Sequence, residues 1–172
     1  MAYKFKQGFY DIKNKDKYLG SKNPDYKSLL EERCCYYMDM NSNVLKWNYE
    51  RTIIPYINPI EYRILIEKGY SDTEAKKNSL RRYFVDYWFE GIDNKGNTIR
   101  VLVEVKPKRQ TVPPKQPKRN TQKAKDRYKE EQFLFAINNA KWKAATEYCK
   151  KKGWKFVIFT EDDLGVVYSG KK

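Results

Sequence analysis

Two short stretches of the chain place ionisable side chains inside runs that otherwise read as buried strands. One is Arg81-Arg82-Tyr83-Phe84-Val85-Asp86, the other Val101-Leu102-Val103-Glu104-Val105-Lys106-Pro107. Ionised groups in such surroundings are costly unless they are paired or bind a metal. Asp86 and Glu104 on adjacent strands are suited to share Mg²⁺, a hard cation that takes one or two carboxylates and keeps several waters. The carbonyl of Val105 is a further candidate ligand. Lys106, two residues on from Glu104, shares its strand face because strand side chains alternate. Its ammonium is placed to contact a phosphate or to orient an attacking water. Hydrolysis of a phosphodiester needs these parts: a neutralised phosphate, an activated water and a stabilised leaving oxyanion. A third carboxylate would come from an upstream helix, where Glu31 and Glu32 are the candidates.

Glu-x-Lys alone is also what a solvent-facing strand with cross-strand ion pairs would show. Three features weigh against that reading. Asp86 sits within Phe84-Val85-Asp86-Tyr87-Trp88, a hairpin joins the two motifs, and a helix with a glutamate lies upstream.

The elements that must position these residues follow from pattern. Tyr26 to Met40 reads as a helix, with Leu29, Leu30, Cys34 and Tyr37 at helical spacing and Ser28 three residues before Glu31 as a capping box. Arg51 to Ile57 reads as a strand, and Pro55 within it points to a sheet edge or a bulge. Residues 58–80 read as a surface insertion, with a short helix from Glu61 to Lys68, a stop at Gly69 and a fresh N-cap at Ser71 or Asp72. Arg82 to Ile92 and Thr98 to Lys106 form a hairpin across Asp93-Asn94-Lys95-Gly96-Asn97. A three-residue loop, Asn94-Lys95-Gly96, with Gly96 left-handed, sets Asp86 opposite Glu104, and a bulge would shift this by one residue. Residues 107–121 carry Pro107, Pro113, Pro114, Pro117, five basic residues and no acid, and read as an extended loop. Gln122 to Ile137 and Lys141 to Lys152 read as two helices broken at Asn138-Asn139, with Gly153 closing the second. Trp154 to Phe159 reads as a buried strand, followed by Thr160 as an N-cap. A central sheet with helices on its faces buries this order compactly, which makes the fold class α/β.

The 172 residues fit one domain, and 16% aromatic residues supply a core. The organisation expected is a basic N-terminal arm over residues 1–25 and a folded domain over 26–172. A net charge of +14, from 36 Lys+Arg against 22 Asp+Glu, suits a polyanion such as nucleic acid. Candidate DNA-contacting residues are Arg81 and Arg82, just before the Asp86 strand, and Lys108, Arg109, Lys115, Lys118 and Arg119, in the loop that leaves the Glu104 strand. The chain has no histidine, which removes every mechanism that relies on imidazole. A general base must be lysine, a carboxylate or metal-bound water. Cys34, Cys35 and Cys149 make neither a disulfide framework nor a zinc site, so reduced thiols are expected. No apolar run approaches the roughly 18 residues of a membrane span. Met1 to Lys6 lacks an apolar signal core, so an intracellular protein with no membrane partner is expected.

The blocks Tyr26-Lys27-Ser28-Leu29-Leu30-Glu31, Thr52-Ile53-Ile54-Pro55-Tyr56, Arg81 to Trp88, Val103-Glu104-Val105-Lys106-Pro107-Lys108, Val112-Pro113-Pro114-Lys115, Lys141 to Ala145, Lys155-Phe156 and Thr160-Glu161-Asp162 are collinear with a known pattern. Over about residues 26–165 the chain resembles the head completion nuclease family of T4-like tailed bacteriophages. That family is similar in turn to the endonuclease subunit of Tn7-type transposases and to the PD-(D/E)xK nuclease superfamily. The resemblance implies a restriction-endonuclease-like αβββαβ core with a mixed central sheet. It implies Mg²⁺-dependent cutting of double-stranded DNA, with Mn²⁺ as a substitute ion. By position it assigns Glu31, Asp86, Glu104 and Lys106 as catalytic, and it favours Glu31 over Glu32. It implies partners among phage head and portal-neck proteins, with a homodimer open, and a location in the host cytoplasm during assembly or in the virion. Two alternatives stand beside it: a structural DNA-binding protein of the phage head or neck on a nuclease-like fold, and a transposase or recombination endonuclease subunit.

Overall fold

A computed structural model describes residues 7–165. In chain order the elements are β1 (Gly8–Phe9), β2 (Asp25–Tyr26), α1 (Leu29–Met40), β3 (Val44–Ile57), α2 (Pro59–Glu67), α3 (Asp72–Asn78), β4 (Leu80–Ile92), β5 (Thr98–Val105), α4 (Gln122–Lys152), β6 (Lys155–Phe159) and α5 (Glu161–Leu164). The four long strands form one sheet in the order β3-β4-β5-β6. β4 and β5 are antiparallel and β5 and β6 parallel, so the sheet is mixed. A parallel neighbour cannot be reached by a tight turn. The long connection holding α4 meets that need, and α1-β3-β4-β5-α4-β6 is the αβββαβ order of a restriction-endonuclease-like fold.

Two compact units interleave along the chain. Among the described residues, one comprises 7–52, 84–108 and 149–165, the other 53–83 and 109–148. In the first, the core is built by Leu30, Cys34, Cys35 and Met38 of α1 against Val44, Trp47, Tyr87, Phe89, Val101, Val103 and Val105. These helix residues recur every three to four positions and present one apolar stripe. Along β4, Val85, Tyr87, Phe89 and Gly91 are buried while the residues between them are half-buried. Val101 to Val105 are all buried, as befits a central strand covered on both faces. The second unit packs α2 against α3, and α3 opens on a full capping box between Ser71 and Glu74.

The hairpin register matches the one read from the sequence. Pairs run from Ile92↔Thr98 to Tyr87↔Val103, symmetric about Lys95, and Gly96 is left-handed at φ 81°. Asp93 closes the loop by accepting from the backbone N–H groups of Lys95 and Asn97, both at 2.9 Å. β3 lies at the sheet edge, where Pro55 removes no ladder bond that a second neighbour would need. The three cysteines are free and buried.

Other expectations need correction. Gln122–Lys152 is one helix of 31 residues, with no break at Asn138-Asn139. Each Asn costs under about 1 kcal/mol relative to Ala in a helix, and burial of Trp142, Ala145 and Cys149 outweighs that. β3 begins at Val44 rather than Arg51, because Val44 and Trp47 join the core. The basic loop contains a 3-10 turn over Lys108–Gln110. Residues 7–25, read from the sequence as part of an arm, are pinned to α1, and Tyr26, read as the start of the helix, lies in β2 with α1 beginning at Leu29. Buried Asp39 accepts from the Tyr10 hydroxyl at 3.1 Å and from the N–H groups of Lys13 and Asn14 at 2.8 and 2.9 Å. Met1 to Lys6 lie outside the described residues. Among the described residues no helix is long and apolar enough to cross a membrane.

Candidate active site

Asp86, Glu104, Val105 and Lys106 come together where the β4–β5 ladder stops. The last ladder pair is Tyr87↔Val103. One step further, the Asp86 carboxylate takes the place of a backbone acceptor, and the Val105 N–H donates to its Oδ2 at 2.8 Å. On the other side of β5 the Lys106 N–H donates to the Phe159 carbonyl at 3.0 Å. The end of β5 is therefore held from both neighbouring strands.

Glu104 is only 2% exposed. Its Oε1 lies 2.9 Å from the Lys106 Nζ, whose side chain is 26% exposed. The two side chains share a face, as the i, i+2 spacing requires. Burial pushes the Asp86 carboxyl well above the usual carboxylate range, and the charge of Glu104 adds to this. Lys106 and the Val105 N–H pull the other way. Burial alone would lower the Lys106 ammonium, but Glu104 and Asp86 outweigh it and the group is held above its ordinary value. Two acids and one base thus meet with little water to screen them.

Glu31 stands on the first turn of α1, as expected, but its side chain is engaged elsewhere. Ser28 is the N-cap and accepts from the Glu31 N–H. The Glu31 carboxylate turns back to accept from the Lys27 N–H at 2.8 Å and the Ser28 hydroxyl at 3.2 Å. Lys27 in turn pairs with Glu50 at 3.2 Å. Glu31 is still close enough for its charge to raise Asp86 and Lys106. Its carbonyl accepts from the buried Tyr87 hydroxyl at 2.9 Å. Tyr87 and Lys27 were not singled out from the sequence. A tyrosine next to Asp86 looked like one more core aromatic, and a lysine before an N-cap carries no signal of its own.

The donor set suits a hard cation, since Asp86, Glu104 and the Val105 carbonyl all offer oxygen. Among the described residues no group of three His, Cys, Asp or Glu side chains converges into a cage. Two carboxylates completed by water are the normal complement for Mg²⁺.

The basic candidates are all exposed. Arg81, in the second unit, pairs with Glu61 at 2.5 Å and donates to the carbonyls of Asn78 and Leu80. Lys108, in the first, is held by the acids of α5: its N–H donates to Glu161 at 2.8 Å and its Nζ lies 2.6 Å from Asp162. Arg82, Arg109, Lys115, Lys118 and Arg119 belong to the second unit.

With a mixed αβββαβ sheet carrying Asp86 and Glu104-x-Lys106 at one ladder end, the class is that of endonucleases. A family model described as TnsA-like endonuclease N terminal matches residues 41–161, and the chain belongs to that family. Over 165 residues it is 36% identical to the head completion nuclease of Enterobacteria phage T4, across 95% of each chain. Both relationships expected from the residue blocks are present.

Proposed function

We propose that this protein is a Mg²⁺-dependent endonuclease that hydrolyses phosphodiester bonds of double-stranded DNA and acts in phage head completion. The observation that carries the reading is the buried Glu104 paired to Lys106 beside Asp86, at the point where the ladder opens. A core built only for stability gains little from such a set, since buried ion pairs rarely outdo apolar packing.

In this reading Asp86, Glu104 and the Val105 carbonyl hold the ion, and Glu31 joins them by side-chain rotation. When bound, Mg²⁺ supplies Lewis-acid charge at the scissile phosphate and lowers the pKa of water. Lys106 stays protonated and offers its ammonium to a phosphate oxygen or to the attacking water. Glu104 holds that ammonium in place. The Val105 N–H fixes one Asp86 oxygen and so aims the other. Exposed Lys115, Lys118 and Arg119 bind backbone phosphates without reading sequence. The 95% coverage of the T4 relative favours a role in host cytoplasm during assembly, with phage head or neck proteins as partners, over a transposase subunit.

A second reading is a structural DNA-binding protein of the head or neck. The engagement of Glu31 with Lys27 and Ser28 favours it, because a working site would recruit that carboxylate. Plasmid cleavage by the full chain separates the two. Nicking or linearisation that needs Mg²⁺ and is lost with EDTA or in Glu104→Ala is expected. A band shift without cutting, in Mg²⁺ or Mn²⁺, overturns the nuclease reading.

A further inference from the structure

We propose that Tyr87 is a positioning residue that ties the first turn of α1, and with it Glu31, to the strand that carries Asp86. The inference rests on the metal-nuclease reading above and adds to it a residue outside the Asp-Glu-Lys set.

Tyr87 is fully buried. Its ring lies 5.3 Å from that of Tyr49 and 6.3 Å from that of Trp47, centroid to centroid. Aromatic packing alone would accept phenylalanine here. The hydroxyl does something more specific: it reaches from β4 to α1, donates to the Glu31 carbonyl at 2.9 Å and lies 3.2 Å from the Cys35 sulfur. A buried hydroxyl is costly without a partner, so the bond fixes the helix relative to the strand. Tyr87 and Asp86 are adjacent, and alternation sends them to opposite faces. One dipeptide therefore holds the helix with one residue and faces the site with the other.

The two ends of Glu31 are held by different groups. Tyr87 grips the main-chain carbonyl, while the Lys27 N–H and the Ser28 hydroxyl grip the carboxylate. Turning the carboxylate toward Asp86 and Glu104 breaks only the cap bonds. The Tyr87 bond persists and serves as the pivot. Without it, the first turn of α1 is free to shift, and a small shift at the backbone is magnified at the carboxylate.

The test is Mn²⁺ binding to the full chain by calorimetry, with melting temperature recorded for each variant. Tyr87→Phe and Glu31→Gln are each expected to weaken Mn²⁺ binding about five-fold, the size of one typical hydrogen bond. The double variant is expected to be no weaker than the worse single. Cys35→Ala, which removes the other partner of the hydroxyl, is expected to bind Mn²⁺ like the wild type. Wild-type affinity in Tyr87→Phe, or losses that add in the double variant, overturns the role of Tyr87. A loss in Cys35→Ala equal to that in Tyr87→Phe assigns the hydroxyl to core packing and overturns it too. A wild type whose Mn²⁺ binding is absent, or survives Asp86→Ala, overturns the metal-site reading itself and the role of Tyr87 with it.

Discussion

Replacing Lys106 with Met tests the electrostatics of the site apart from any catalysis. At 2.9 Å and an effective dielectric of about 20, the attraction between Lys106 and Glu104 is about 6 kcal/mol. Desolvation of both charges offsets part of it, and removing one member of a buried pair costs about 3–5 kcal/mol. Lys106 is a quarter exposed, which places this pair at the lower end, about 3 kcal/mol. For a chain of this size that corresponds to a melting temperature lower by roughly 6–12 °C. Methionine keeps most of the aliphatic stem, so the loss is one of charge. Thermal melts in EDTA measure it. Adding Glu104→Gln to Lys106→Met neutralises the buried carboxylate as well and should restore part of the loss. A Lys106→Met variant that melts within about 1 °C of wild type, or a double variant as unstable as the single, would refute the reasoning.

Gly91→Ala is expected to destabilise the fold by about 2 kcal/mol or more. A Cβ there would meet the Asn43 carbonyl at 2.5 Å, and that carbonyl already accepts from the Ile92 N–H at 2.9 Å; urea unfolding measures the loss. The Cys35 thiol is pushed up to about 12, chiefly by burial, while its contact with the Tyr87 hydroxyl lowers it in part. Its folded value lies above its ordinary 9.0, so its contribution to stability is complete below pH 9 and is lost as pH rises toward 12. Urea midpoints should therefore fall between pH 9 and 10.5, and fall less in Cys35→Ala, while the native thiol stays inert to alkylation at pH 8. Changing Lys115, Lys118 and Arg119 together to Ala should reduce the salt dependence of DNA binding, log K against log salt, by about 3. An unchanged slope in filter binding would place the phosphate contacts elsewhere.

Much of the site was legible because its parts are local. Turn chemistry at Asp93 to Asn97 set the hairpin register, and the register with strand alternation set Asp86, Glu104 and Lys106 together. Ser28 and Glu31 announced the start of α1 through capping preference. Less legible were features decided by tertiary contacts. Asn138-Asn139 is a weak break that packing of Trp142 and Ala145 overrides, and Val44 to Glu50 joins β3 through the burial of Trp47 rather than through clean alternation. A rotamer has no sequence signature, so the turn of the Glu31 carboxylate toward Lys27 could not be read. Nor could the division into units, since residues 53–83 and 109–148 join across an intervening hairpin.

The bond from the Val105 N–H to Asp86 has a practical side. In a regular sheet that amide would face a neutral carbonyl and be spectroscopically ordinary. Facing a carboxyl group, it becomes an internal gauge of the site. Charge on the acceptor draws its proton resonance downfield, and neutralising or redirecting the carboxyl draws it back. One assigned peak in a nitrogen-15 correlation spectrum would then follow the occupancy of the site in solution, without substrate.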